Sequence, residues 1–251
     1  MAIQSSGVIT LQDIEDEFGG TGAISLSEYY RNGSYVTANN TSVPTSGAIS
    51  LSNFYGAVRG LVVEYQIIGA GGAGGFGNLN SYATSRGPSG GSSLITSTAI
   101  TNVTAAGGLG GLNAYSNPGS HPNEDRDGVD TIYGAGGVAG ASSGSSNNQP
   151  GGDAPSTSYG AGGGGAGGDR ASTFDASGGA GGGGQAGTYL TGSFLLVPGV
   201  QLSVTIGSGG VGTDDPGPYF VPGGDGANGY ARLRKDGGSW TTFTSSGTYT
   251  V

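Results

Sequence analysis

The sequence predicts a mainly irregular and β chain: a short repeated strand-turn(-helix) amino-terminal module, then a polyglycine II helix sandwich flanked by β-strands. Three observations predict it. Glycine supplies 58 of 251 residues, roughly three times its usual share of about 7%, and only eight of them precede Leu61. Within the glycine-rich stretch, residues 69–229, the non-glycine positions recur every third residue. The first sixty residues carry one nine-residue unit three times.

The repeat comes first in the chain. Ser6-Gly-Val-Ile-Thr-Leu-Gln-Asp-Ile14, Thr21-Gly-Ala-Ile-Ser-Leu-Ser-Glu-Tyr29 and Ser46-Gly-Ala-Ile-Ser-Leu-Ser-Asn-Phe54 are versions of one unit. Each reads as a Ser/Thr-Gly turn, a short strand with Ile and Leu two apart (Ile9 and Leu11, Ile24 and Leu26, Ile49 and Leu51), then an aromatic residue or Ile. Thr10 with Asp13 and Ser25 with Glu28 have capping-box spacing, which predicts a helical turn after each strand. Units this small cannot each bury a core, so they must pack on one another or on a partner chain. Residues 1–60 are therefore expected to form an attachment module, with Ile9, Leu11, Ile24, Leu26, Ile49, Leu51, Phe54 and Tyr55 as its contact residues. A folded cap for the rest of the chain, with no partner of its own, is the competing expectation.

Residues 61–251 are expected to form the second domain. It opens on Leu61-Val-Val-Glu-Tyr-Gln-Ile-Ile68, a strong strand signal, and passes straight into Gly69-Ala-Gly-Gly-Ala-Gly-Gly75. Here Ala70, Ala73 and Phe76 stand three apart, as do Ala106, Leu109 and Leu112, then Ala135, Val138 and Ala141, and Ser208, Val211 and Asp214. Three residues per turn is the period of an extended left-handed helix without internal hydrogen bonds. Glycine at two positions in three leaves two faces bare, so neighbouring backbones can approach and exchange N–H···O=C bonds. Collagen needs a longer unbroken Gly-X-Y run. A disordered glycine linker is the rival reading, and the interspersed apolar segments at 61–68, 94–103, 194–197, 202–206 and 230–233 speak against it.

Between the glycine runs lie longer polar connections, 78–89, 113–130, 142–158, 169–177 and 213–222. They hold Tyr82, Tyr115, His121, Phe174, Tyr219 and Phe220, with Tyr159 directly after the third, among Asn, Ser, Asp and Arg. Aromatic residues amid small polar ones suit recognition loops on a rigid scaffold. Solvated connectors whose aromatics tuck against the scaffold are the plainer alternative. The tail alternates in 201–206, 230–234 and 240–251, predicting strands, with Ser245-Ser-Gly247 as a hairpin turn.

Composition and motifs exclude several chemistries. A net charge of −9 with only eight Lys and Arg, three of them clustered at Arg232, Arg234 and Lys235, argues against nucleic-acid binding, which needs a positive surface. No apolar run reaches 18 residues, so no membrane insertion is expected, and the start lacks the pattern of a secretion signal. Without Cys there is no thiol chemistry. Gly69-Ala-Gly-Gly-Ala-Gly74 satisfies G-x-G-x-x-G, but no helix opening or carboxylate about twenty residues on follows it. Gly87-Pro-Ser-Gly-Gly91 and Gly140-Ala-Ser-Ser-Gly144 match the nucleophile-elbow pattern, which needs a strand before, a helix after and a His; His121 is the single His. Asp125, Asp127 and Asp130 surround Gly128 like a weak Ca²⁺ loop, but without the bidentate Glu of an EF-hand. The expectation is a protein that is not an enzyme and takes no cofactor.

Two features together carry a resemblance. Ser46-Gly-Ala-Ile-Ser-Leu-Ser-Asn-Phe-Tyr55, with its earlier copies, resembles amino-terminal segments of the tail and fibre proteins of tailed bacteriophages. Val62-Val-Glu-Tyr-Gln-Ile-Ile-Gly-Ala-Gly-Gly-Ala-Gly-Gly75 and the ending Trp240-Thr-Thr-Phe-Thr-Ser-Ser-Gly-Thr-Tyr-Thr-Val251 are similar to the glycine-rich domains of such proteins. The resemblance implies a virion protein at the tail or fibre tip, bound to other tail or fibre chains as a homotrimer or as a monomer capping a trimer. Its loops would contact a bacterial surface receptor, protein or glycan, as in glycine-rich phage tip adhesins. It departs from those adhesins in lacking a tryptophan-rich amino-terminal segment. An architectural tail protein without receptor contact is the second reading, and an ice-binding polyglycine protein the third.

Overall fold

The computed structural model describes residues 2–20, 22–75, 77–78, 86–112, 128, 130–132, 134–138, 150–163, 183–212 and 220–251, with backbone alone at 77–78 and 220–221. The described chain is mainly β, with two four-stranded antiparallel sheets and few helical residues.

In the amino-terminal segment the three repeats fold alike at their starts. Gly7, Gly22 and Gly47 take φ of +98°, +94° and +85°, a left-handed turn that glycine alone adopts without penalty. The chain then runs extended to Thr10, Ser25 and Ser50, each the cap of a helical turn. The expected strands find no ladder partner; the expected helical turns form in all three copies. The first copy continues into α1 (Leu11–Phe18), where Ile14 and Phe18, one turn apart, both reach the core. The others stop after one 3₁₀ turn, Leu26–Glu28 and Leu51–Phe54. Thr10 and Asp13 close a capping box, with Thr10 N–H donating to Asp13 at 2.7 Å and Asp13 N–H to Thr10 Oγ1 at 3.2 Å. In the second copy Ser25 accepts from Ser27 N–H instead, and Glu28 is not drawn back.

The ninth residue of each unit explains the repeat. Ile14, Tyr29 and Phe54 are all 0% exposed and converge on one core. Phe54 meets Phe18 and Tyr29 edge-on, with ring centroids 6.2 Å and 6.4 Å apart. Buried Asn40 is paired with backbone on both sides, donating to Val58 O at 2.9 Å and accepting from Val58 N–H at 2.8 Å.

The Tyr29 hydroxyl donates to Gly19 O at 3.0 Å. Its enclosure, then the nearby carboxylates of Glu15 and Glu28, then Tyr35, raise its pKa above the ordinary 10.0. Burial does the same to Tyr249. A folded-state pKa above the unfolded value favours the fold while both states are protonated and loses that contribution as pH rises. The urea midpoint is therefore expected to stay level up to about pH 10 and to fall above it. Tyr29→Phe should flatten the fall, and an unchanged slope would remove Tyr29 as its cause.

The strands β1 (Leu61–Ile68), β2 (Gly77–Asn78), β3 (Ser93–Thr96), β4 (Val103–Ala105), β5 (Tyr189–Leu196), β6 (Gln201–Thr205), β7 (Phe220–Val221), β8 (Tyr230–Lys235), β9 (Thr241–Phe243) and β10 (Gly247–Thr250) follow in order. One sheet is ordered β5-β1-β8-β9 and the other β10-β6-β3-β4, while β2 and β7 pair separately. Alternate residues enclose a shared core of Val63, Ile67, Ile95, Leu196, Leu202, Val204, Leu233 and others. Residues 244–246 do not turn a hairpin. β9 pairs with β8 and β10 with β6, so this turn crosses from one sheet to the other, and Phe243 and Tyr249 pack on the one core from the two sheets.

Candidate recognition surface and the glycine lattice behind it

Six of these strands run on as glycine-rich segments, and there the two sheets merge. Residues 69–75 continue β1, 105–112 continue β4 and 206–212 continue β6; residues 86–91, 183–188 and 222–229 lead into β3, β5 and β8. Where the strands carry side chains, a hydrophobic core holds the sheets apart. Where glycine takes over, backbones from both sheets bond directly.

Six consecutive N–H groups of the central segment donate in three directions that repeat every third residue. Gly69 and Gly72 donate to Thr188 O and Gln185 O, Ala70 and Ala73 to Gly91 O and Pro88 O, and Gly71 and Gly74 to Ala227 O and Gly224 O, all at 2.8–3.1 Å. Gly108 and Gly111, Gly163, and Gly210 donate back to its carbonyls. Six segments therefore surround residues 69–74. They also bond to one another in a closed ring, through Gly90 to Gly108 O, Gln185 to Leu109 O, Gly187 to Gly160 O, Ala227 to Ala161 O, Gly226 to Gly210 O and Gly91 to Ser208 O. Segments 86–91, 183–188 and 222–229 run antiparallel to the centre and accept from it. The parallel ones, 105–112, 159–163 and 206–212, donate to it.

Polar side chains also accept from N–H groups of the lattice. Asp225 accepts from Gly212 N–H at 2.6 Å, Asn228 from Gly209 at 2.9 Å and Asp153 from Asp225 N–H at 2.8 Å. Buried Ser93 accepts from Gly207 N–H at 3.1 Å where sheet passes into lattice. Asp130, a candidate calcium ligand, likewise accepts from Gly136 N–H at 2.7 Å.

The chain directions put most of the connections between lattice segments at one end; 155–158, which joins 150–154 to 159–163 and is followed by Tyr159, lies at the other, beside the start of β8. The parallel segments finish, and the antiparallel ones begin, at the end of residue 75, remote from β1. Residues 75, 112, 163 and 212 leave there, and 86, 183 and 222 return there; 150–154, which runs parallel to 222–229, starts there too. The amino-terminal segment joins at the opposite end, through Gly60 and the start of β1, where Gly60 lies against Thr37 and Leu195.

Of the candidate contact residues, Tyr159 is half-buried and stacks on Tyr230 with ring centroids 4.7 Å apart. Phe220 lies in β7, paired through its backbone with Asn78. Tyr82, Tyr115, His121, Phe174, Tyr219, Asp125 and Asp127 lie outside the described residues, as does the second nucleophile-elbow match. In the first match, Ser89 sits in an extended lattice segment, not between strand and helix. Every N–H of the G-x-G-x-x-G stretch is spent on a backbone carbonyl, leaving none for a phosphate. Among the described residues no three His, Asp or Glu stand together as a metal site, and no helix is long and apolar enough to cross a membrane.

Of the expected attachment residues, Ile9 and Phe54 are buried, and Ile24, Leu26, Ile49 and Leu51 pack against the same core. Leu11 is half-buried. Tyr55 is 39% exposed, its hydroxyl donating to Gly7 O, and Val8 is 82% exposed. The repeat thus builds the segment's own interior, and the outward apolar residues are Val8 and Tyr55.

A cluster unforeseen in the sequence lies on the outer face of the β1–β8 pair. The guanidiniums of Arg232 and Arg234 stand 4.6 Å and 4.5 Å from the Trp240 ring centroid. Arg234 also bonds Glu64 at 2.6 Å, and Arg232 donates to Gln66 at 2.9 Å. The register pairs Glu64 with Arg234 and Gln66 with Arg232, so the one basic cluster of the sequence is partly neutralised and stacked.

Compared with family models, with curated proteins and with solved structures, the chain matches none.

Proposed function

We propose that this chain is a virion protein of a tailed bacteriophage, sited at the tail or fibre tip, which attaches through residues 1–60 and displays recognition loops from residues 61–251. The glycine segments are read as polyglycine II helices in a sandwich. The threefold period of donor directions supports this, because three residues per turn sends every third N–H the same way. The role is adhesion to a bacterial surface receptor, with no catalysis and no cofactor.

The observation that carries the reading is polarity along the chain's own axis. Residues 75, 112, 163 and 212 leave the lattice, and 86, 183 and 222 enter it, at one end, while the amino-terminal segment joins at the other. A rigid frame with connections gathered at one end is how scaffolds generally present binding residues. Aromatic anchors among small polar groups would supply the contacts, and several copies per particle would add avidity. Tyr159, stacked on Tyr230 at the opposite end of the lattice, is not read as a contact.

The test is competition by the purified full chain for phage adsorption to host cells. Saturable binding that protects the cells is expected, and Tyr115→Ala or Tyr219→Ala should weaken it without changing the melting curve. A folded chain that neither binds nor protects would sink the adhesin reading and leave an architectural tail role.

A further inference from the structure

We infer that the free edge of β5 is a self-association surface, through which two copies of this chain join their sheets by antiparallel β5–β5 pairing about a two-fold axis. The inference stands apart from the proposed function, because it does not depend on what the loops bind.

Four strands form the edges of the two sandwich sheets: β5, β9, β10 and β4. Three are very short, with three residues in β9, four in β10 and three in β4. Shortness is one of the ordinary ways in which proteins keep a sheet edge from pairing with another chain. β5 is longer: its eight residues pair along their whole length with β1, from Leu61↔Leu196 to Ile68↔Tyr189. On its other side, among the described residues, no strand pairs with Leu190–Leu196. Every second residue of an edge strand presents an unpaired N–H and C=O. β5 also lacks the other usual guards, for it contains no Pro and no charged residue.

Charge selects the occupant. The chain carries −9, so most of its surface repels a second copy. No Asp, Glu, Lys or Arg occurs between Asp175 and Asp214, a stretch with β5 near its middle. When a strand pairs with itself about a two-fold axis, each side chain meets its own kind or a near neighbour on the partner. Like charges placed so are destabilising, and β5 has none to place. An isologous pair closes on itself and does not propagate. Side chains suit the join as well. Thr191, Ser193 and Leu195 are exposed on one face, while Phe194 on the other stacks on Tyr65 at 4.9 Å, in contact with the sandwich core. Pairing would extend that stacked layer across the axis.

Sedimentation equilibrium of the full chain over a range of concentrations tests this, with hydrogen exchange of β5 amides beside it. The wild type should approach twice the monomer mass as concentration rises, with amides 190–195 gaining protection in step. Thr191→Lys with Ser193→Lys, both at exposed positions, should give a monomer whose thermal midpoint falls by no more than the loss of the Thr191 hydroxyl's bond to Tyr65 O requires. Thr241→Lys, on the short edge strand β9, should leave the dimer intact. A wild type that stays monomeric, a mass of three copies, or a dimer that survives the paired lysines would each overturn the inference.

Discussion

Gly71→Ala is expected to cost at least about 3 kcal/mol, at or beyond the upper end for inserting one methyl into a packed interior, and to leave the chain insoluble or unfolded. A Cβ on Gly71 would lie 1.9 Å from Ala161 O, and one on Gly72 would lie 2.2 Å from Leu109 O. Both obstacles are backbone, held by the ring bonds, so neither can swing aside as a side-chain tip would. Gly199→Ala separates crowding from conformational strain. Gly199 has φ of +88° with nothing within 4 Å of its added Cβ, so alanine there should cost only about 1–2 kcal/mol. Urea unfolding of the three proteins gives the comparison. Equal losses at Gly71 and Gly199 would mean that the segments have room to part, contrary to the bonding described.

Phe54→Ala should cost about 3–5 kcal/mol, the usual range for a fully buried Phe. Phe54 is where the third repeat meets the first through Phe18 and the second through Tyr29. Its loss opens the one core common to all three copies. That core is separate from the core of the sandwich, so the damage should be local. Amide exchange should quicken across residues 3–57 while the amides of β1, β6 and β8 keep their protection. Loss of protection throughout would show instead that the two cores unfold as one. If residues 1–60 attach the chain to the particle, the same variant should fail to assemble while still competing for adsorption.

The sequence disclosed periods and repeats well and disclosed partners poorly. Ala70 and Ala73 among glycines signal three-residue geometry because backbone spacing decides where a side chain is tolerated. The strand at 61–68 is legible for a similar reason, since its apolar residues must bury. The nine-residue unit was legible as a unit whose apolar positions must meet either one another or a partner chain; Ile14, Tyr29 and Phe54 meet one another. Nothing local distinguishes a residue that meets a partner chain from one that meets another repeat. Likewise Arg232 and Arg234 read as a basic cluster, since Trp240 and Glu64 reach them only through sheet register. The turn at 244–246 looked like a hairpin because turn chemistry is local, whereas the choice of sheet for the strands beside it is not. Which segment lies beside which around residues 69–74 is a matter of long-range backbone bonding, and glycine leaves no side chain to announce it.

The closed ring has a mechanical consequence. A pull between residue 60 and residue 75 runs along β1 and the central segment, parallel to their neighbours and across their hydrogen bonds. The six bonds donated from 69–74 are then loaded in shear together and cannot be opened one after another as in an unzipping hairpin. Extraction of the central segment requires breaking contacts on all sides at once. Tension applied at right angles, separating an outer segment such as 150–154 from 222–229, meets, among the described residues, three bonds: Gly151 N–H to Pro222 O, Ala154 N–H to Asp225 O and Asp225 N–H to the Asp153 carboxylate. The lattice is accordingly stiff along the line of the strands and weakest at its outermost segments.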